Sequence, residues 1–138
     1  MYGLGEGFDL SVTGKICYML CGMALELAYK ATLVEEGKEP PMKHDLVELA
    51  RLADIKMNED DELTLKIWSH LIVWDGKYPV PKNKPQMEEF GNLVEETLWD
   101  QVDGTPFKRR NNRLKWDDFN KFWAQARERY FSVCARNP

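Results

Sequence analysis

Apolar residues recur every three or four positions through most of this chain. From Ile16 the steps run through Leu20, Met23, Leu27, Ala31 and Val34. That spacing returns to one side of an α-helix, because 3.6 residues complete a turn. It predicts a helix near residues 11–36 with this stripe turned inward. Asp9 or Ser11 can cap its start, since a short side-chain oxygen satisfies orphan N–H groups there. Gly37 is a fitting stop, and Pro40 and Pro41 prevent continuation.

The same reading predicts four more helices. One, near 43–57, carries Leu46, Leu49, Leu52 or Ala53, and Met57 inward. A third, near 60–75, follows the acidic run "NEDDE", with Asn58 as its cap and acids suited to the positive end of the helix dipole. Its stripe is Leu63, Ile67, Trp68, Leu71 and Trp74 or Ile72. The proline-rich stretch "WDGKYPVPKNKP" reads as a loop. A fourth helix near 86–101 turns Met87, Phe90, Leu93 or Val94, Thr97 and Leu98 inward. After the connector "VDGTPFKRRNNR", a fifth near 112–134 places Trp116, Phe119, Trp123, Ala126 and Tyr130 at heptad-like spacing. No sustained strand alternation is evident. The expected fold is all-α, an antiparallel helical bundle of about five helices in a single domain over 1–138, with 1–10 as a flexible tail.

Composition narrows this only a little. The 138 residues are enough for one core, and 43% hydrophobic with 30% charged is an ordinary globular balance. The most apolar window, Ile16 to Ala28, contains Glu26 and ends just before Lys30. It falls short of the ~20 apolar residues a bilayer requires. With no basic region and apolar run at the N-terminus, neither membrane insertion nor a secretory signal is expected. Cys17 and Cys21 lie four apart on one helical face and read as small buried hydrophobes. They have no C-x-x-C or histidine-rich companion, so no metal is expected. Three cysteines argue against a disulfide framework, so a cytoplasmic location is the expectation.

Charge is unevenly placed. Residues 1–104 hold ten basic and twenty acidic side chains, a balance of −10; residues 105–138 hold nine and three, a balance of +6. Lys108, Arg109, Arg110, Arg113 and Lys115 concentrate the excess at or near the expected start of the last helix. Basic groups there oppose the helix dipole, while arginines and helix N-termini both suit phosphate. The alternative is a solvated run facing the acidic helices. Of the two histidines, His44 opens the second helix beside Asp45 and can bond to a carboxylate such as Glu26 or Glu48. His70 reads as a helix residue among apolar neighbours. Glu26 and Lys30 form a favourable i,i+4 pair, or a polar spot in the bundle near His44.

The order of features in residues 18–81 resembles the HEPN superfamily (higher eukaryotes and prokaryotes nucleotide-binding). The resemblance rests on Ala24, Glu26, Lys30 and Ala31; Gly37-Lys38; His44-Asp45-Leu46; and Lys77-Tyr78-Pro79. It implies a helical bundle, often a homodimer, with a history in RNA cleavage or nucleotide binding. Toxin–antitoxin, phage-defence and RNA-processing settings are frequent. Glu26, Lys30, His44, Asp45, Tyr78 and Pro79 would be its motif residues here, with Tyr78-Pro79 a lock over the bundle end.

Ribonuclease members of that superfamily resemble one another in an R-x4–6-H motif. The positions that would hold the arginine are Gly37, Lys38 and Glu39 before His44, and Leu63, Thr64 and Leu65 before His70. Arg110-Asn111 is followed, where a histidine could sit, by Trp116. Tryptophan cannot exchange a proton near neutral pH. The expectation is a domain with no catalytic residues and no cofactor, which forms a homodimer or engages a partner protein. RNA or nucleotide would bind at Lys108, Arg109, Arg110, Arg113, Lys115 and His44. Two alternatives stand beside it. One is a metal-independent ribonuclease with a non-standard pair, His44 and Arg110; the other is a structural adaptor.

Overall fold

Capping chemistry sets the boundaries of the helices. A computed structural model describes residues 12–72, 84–111 and 114–136. In these stretches lie α1 (Val12–Glu35), α2 (Leu46–Leu52), α3 (Glu59–Leu71), α4 (Lys84–Leu98), β1 (Trp99–Gln101), β2 (Lys108–Arg110) and α5 (Trp116–Arg136). The expected tail at 1–10, Trp74, and Tyr78-Pro79 lie outside the described residues.

α1 ends in a Schellman turn. Gly37 adopts φ +77°, and the N–H groups of Gly37 and Lys38 donate to Val34 and Leu33 carbonyls at 2.9 and 2.8 Å. Asp45 caps α2 by accepting from the Val47 and Glu48 N–H groups. That helix stops at Leu52, five residues before the expected end. Asp54 turns into the left-handed region at φ 59°, and Ile55 N–H reaches back to Ala50 O. Asn58 caps α3 in a reciprocal box with Asp61.

The core gathers one face of each helix: Tyr18, Leu25, Tyr29 and Leu33 of α1, Leu46 and Leu49 of α2, Leu65, Ile67, Trp68 and Leu71 of α3, and Phe122 and Ala126 of α5. Trp68 is its hub. Its indole N–H donates to Tyr18 O at 3.0 Å, and its ring meets Phe119 and Phe122 edge-on at 6.3 Å each. A Cβ on Gly22 would stand 2.6 Å from Ile72 Cγ1, so glycine permits the close approach of α1 to the end of α3. α3 runs back along α1. α5 runs in the direction of α1: Trp68 bridges their early turns, and Arg129 pairs with Glu36 at the late end.

One inward face expected from the sequence, that of α1, is turned outward, and that of α5 is inward only in part, at Ala126 and Phe119. On α1, Ile16, Leu20, Met23, Leu27 and Val34 are exposed. The buried side is the opposite one, built on two tyrosines that the stripe of aliphatics outweighed in the sequence pattern. On α5, Trp116 and Trp123 are exposed and Phe122, Ala126 and Val133 are buried, with Phe119 between. In α2 the inward choice is Ala53, with Leu52 exposed; in α3 it is Ile72, with Leu63 exposed.

α1 is also longer than the apolar window suggested. Ile16–Glu35, at a mean hydropathy of 1.3, has the length and composition to cross a membrane. Its Tyr18, Leu25, Tyr29 and Leu33 are core residues, as in the central helix of a bundle.

Among the described residues, the connector after α4 holds the one pair of strands. β1 and β2 pair antiparallel, Trp99 with Arg110, Asp100 with Arg109 and Gln101 with Lys108. Val102 N–H donates to Phe107 O at 3.0 Å, and Gly104 turns at φ +73°. Gln101 Nε2 reinforces the loop by donating to Thr105 O and Phe107 O. Asp103-Gly104 is the sequence signal for this hairpin.

Candidate functional site

Two sets of polar side chains lie apart on the bundle. The first begins with Glu26, which points off one flank of α1 and is 12% exposed. Lys30, one turn later, donates to Glu26 Oε1 at 2.7 Å. His44 Nδ1 lies 3.0 Å from each Glu26 oxygen. The carboxylate therefore favours the tautomer with hydrogen on Nδ1. Burial acts to raise the Glu26 pKa, but hydrogen bonds from Lys30 and His44, and their charges, bring it below the ordinary glutamate value. The polar spot expected near His44 is thus present, and Glu26, not Glu48, is the partner. Glu48 instead meets Lys43 at 3.3 Å.

His44 forms one wall of an open groove of about 440 Å³ with Lys43, Asp45, Lys66, Ser69, His70 and Glu89. Both histidines of the chain therefore face one groove. Burial, with Lys66 nearby, pushes His70 below its usual value, while Glu89 and Asp45 oppose that shift. Two of the polar groups serve the fold: Asp45 caps α2, and Ser69 Oγ accepts from Leu46 N–H while donating to Leu65 O. Among the described residues no three His, Cys, Asp or Glu side chains gather as metal ligands. Cys21 is buried beside Cys17, and burial first, then that neighbour, pushes its thiol up to about 11. It is therefore a poor nucleophile.

The second set is the hairpin. Its tip exposes Phe107, Lys108 and Arg109. Lys108, Arg109 and Arg110 thus lie on β2, while Lys115 directly precedes α5, which begins at Trp116 with Asp117 and Asp118 in its first turn. Acids there suit the dipole, which the basic residues would have opposed. Lys108 reaches Glu95 at 2.5 Å and holds that carboxyl below its usual range. Arg109 is paired in register with Asp100. Asn111 fixes the base of the hairpin, donating to Thr97 O at 2.6 Å and to Asp100 Oδ1 at 3.3 Å. Lys115 is half-buried just before α5. The Arg110 side chain and the whole of Arg113 lie outside the described residues.

The groove takes its lining from α3, α4 and the approach to α2, and among the described residues none of the hairpin lines it. Of the expected ligand-binding residues whose side chains are described, His44 lines the groove, Lys108 and Arg109 stand on the hairpin, and Lys115 directly precedes α5. His70 is the groove residue that sequence reasoning assigned to packing. Nothing in its spacing from His44 marks the pairing, because the loop before α2 brings the two together.

The bundle thus carries a Glu–His clasp between α1 and the approach to α2, with a polar groove beside it. A family model, the HEPN domain, matches residues 15–98, from early α1 to the end of α4. This chain belongs to the HEPN family. The comparisons found no matching curated protein and no matching solved structure.

Proposed function

We propose that this chain is a non-catalytic HEPN domain that self-associates and binds single-stranded RNA through its hairpin. One observation carries the reading: the hairpin holds Phe107, Lys108 and Arg109 together on an exposed edge, within a C-terminal third of balance +6. Cationic groups meet phosphates, and an exposed aromatic ring gives a base a face to stack on. Glu95 and Asp100 already engage this edge, so binding is weak and salt-sensitive. The family resemblance makes toxin–antitoxin, phage-defence and RNA-processing systems the places to look for the RNA.

The test is fluorescence polarisation with a labelled single-stranded RNA. If three arginines neutralise phosphates, raising salt fourfold lowers affinity roughly 20-fold. The triple change Arg109→Ala, Arg110→Ala, Arg113→Ala removes most binding and leaves the helical circular dichroism intact. Unchanged binding in that variant places the ligand elsewhere.

A second reading, a metal-independent ribonuclease, is favoured by one feature. Glu26 fixes His44 through Nδ1, and His70 faces the same groove. In that reading His70 joins Arg110 as a candidate partner for His44. RNA cleavage that disappears in His44→Ala supports it. Against it stands the missing arginine: neither histidine has one at the required spacing.

A further inference from the structure

One flank of α5 faces solvent with a pattern of its own. At roughly 100° per residue, Trp116, Asn120, Trp123, Arg127 and Phe131 fall within an arc of about 80°. The core residues Phe122, Ala126 and Val133 lie to one side of that arc, and Asp117, Asp118 and Glu128 lie beyond its other edge. Trp116 is 41% exposed, Trp123 38% and Phe131 62%. Asn120 and Arg127 are exposed as well. Aromatic and polar side chains therefore alternate along the flank, with no acid among them, over roughly 22 Å at 1.5 Å per residue.

The indoles are held in place. Phe119 lies 5.1 Å from Trp116 and 6.0 Å from Trp123, within 19° of parallel to the second. It also meets the core indole of Trp68 at 6.3 Å. Trp116 and Trp123 thus rest on the bundle and keep open surface, seven residues or roughly 10 Å apart. A seam for a partner helix would carry apolar side chains in place of Asn120 and Arg127, because knobs fill holes at every step. A single nucleic-acid strand fits the alternation found here: rings for base faces, a cation for phosphate and an amide for a base edge. Trp116 stands six residues after Arg110, the last residue of β2, so the flank begins close to where the hairpin ends.

We propose that single-stranded RNA runs from the hairpin onto this flank of α5, stacking bases on Trp116 and Trp123, with Arg127 on a phosphate. The identity of the strand rests on the hairpin reading above, whereas these three residues form a separate part of its path.

Fluorescence polarisation of the full chain with a labelled single-stranded RNA of about twelve nucleotides, repeated across a range of salt, tests it. Trp116→Ala and Trp123→Ala each lower affinity about 5- to 150-fold, the contribution of one stacked base, and keep the wild-type salt dependence. Trp116→Phe and Trp123→Phe retain most of the affinity. Arg127→Ala instead lowers the slope of log affinity against log salt by about 0.7. All three side chains are exposed, so helical circular dichroism is unchanged. Tryptophan variants that bind like wild type, when the triple arginine variant does not, overturn the α5 path and leave the hairpin reading standing. Tryptophan variants that lose binding, when the triple arginine variant keeps it, support the α5 path and overturn the hairpin reading. A wild type that binds no RNA overturns both. Loss of affinity that accompanies a smaller sedimenting mass in the tryptophan variants overturns the α5 path in favour of a protein–protein surface.

Discussion

Glu26→Gln isolates the clasp between α1 and the approach to α2. Glutamine preserves the shape of the side chain but removes its charge and one of its acceptors. The carboxylate receives Lys30 at 2.7 Å and His44 at 3.0 Å. A hydrogen bond to a charged group contributes about 1.5–3 kcal/mol. Lys30 and His44 are 24% and 37% exposed, so water partly re-solvates them in the variant. The expected loss is therefore about 1–2 kcal/mol at pH 7, or roughly 3–7 °C in Tm for a domain of this size. The pH dependence follows from the lowered pKa of Glu26. A carboxylate whose folded pKa is depressed stabilises the fold above its unfolded value, and that contribution is lost as pH falls through the folded value. Urea unfolding at pH 7 and at pH 3 reads both effects. The gap between wild type and Glu26→Gln is full at pH 7 and closes as pH falls below the ordinary glutamate range. Equal stability at pH 7, or a gap that persists undiminished at pH 3, refutes the reasoning.

Two further outcomes follow from single contacts. Arg129→Met removes the donor shared by the Glu36 carboxylate and the Ala53 carbonyl; Lys38 still pairs with Glu36 at 2.6 Å, so a cost of about 1–2 kcal/mol in urea unfolding is expected. Asp45→Ala removes the cap of α2, which accepts from two N–H groups; about 1 kcal/mol is lost, with no change in the mass measured by sedimentation.

The caps and breaks were the most legible part of the sequence. Asn58 and Gly37 announce helix ends through local chemistry, and local chemistry survives into the fold, whereas Asp45, expected inside the second helix, caps it. The Glu26–His44 contact was legible because a family pattern and an i,i+4 pair pointed to the same carboxylate. Choosing which face of α1 is buried was not possible from periodicity. Two apolar faces share one helix there, and only the arrival of α3 and α5 against Tyr18 and Tyr29 decides between them. The same holds for Trp123 against Phe122, one position apart on α5. The hairpin was hidden because its strands are three residues each, too short to alternate visibly, although Asp103-Gly104 marks its turn. His70 entered the groove through tertiary folding alone.

The central claim, a binding domain without catalysis, is tested most directly by following end-labelled single-stranded RNA on a denaturing gel. Wild-type protein is added at a concentration that saturates the polarisation signal, with chelator present to exclude metal nucleases. The account predicts full-length RNA throughout, because no arginine precedes His44 or His70 at the spacing the cleavage motif requires. Cleavage by wild type that His44→Ala abolishes would contradict it, and would make the groove between His44 and His70 an active site.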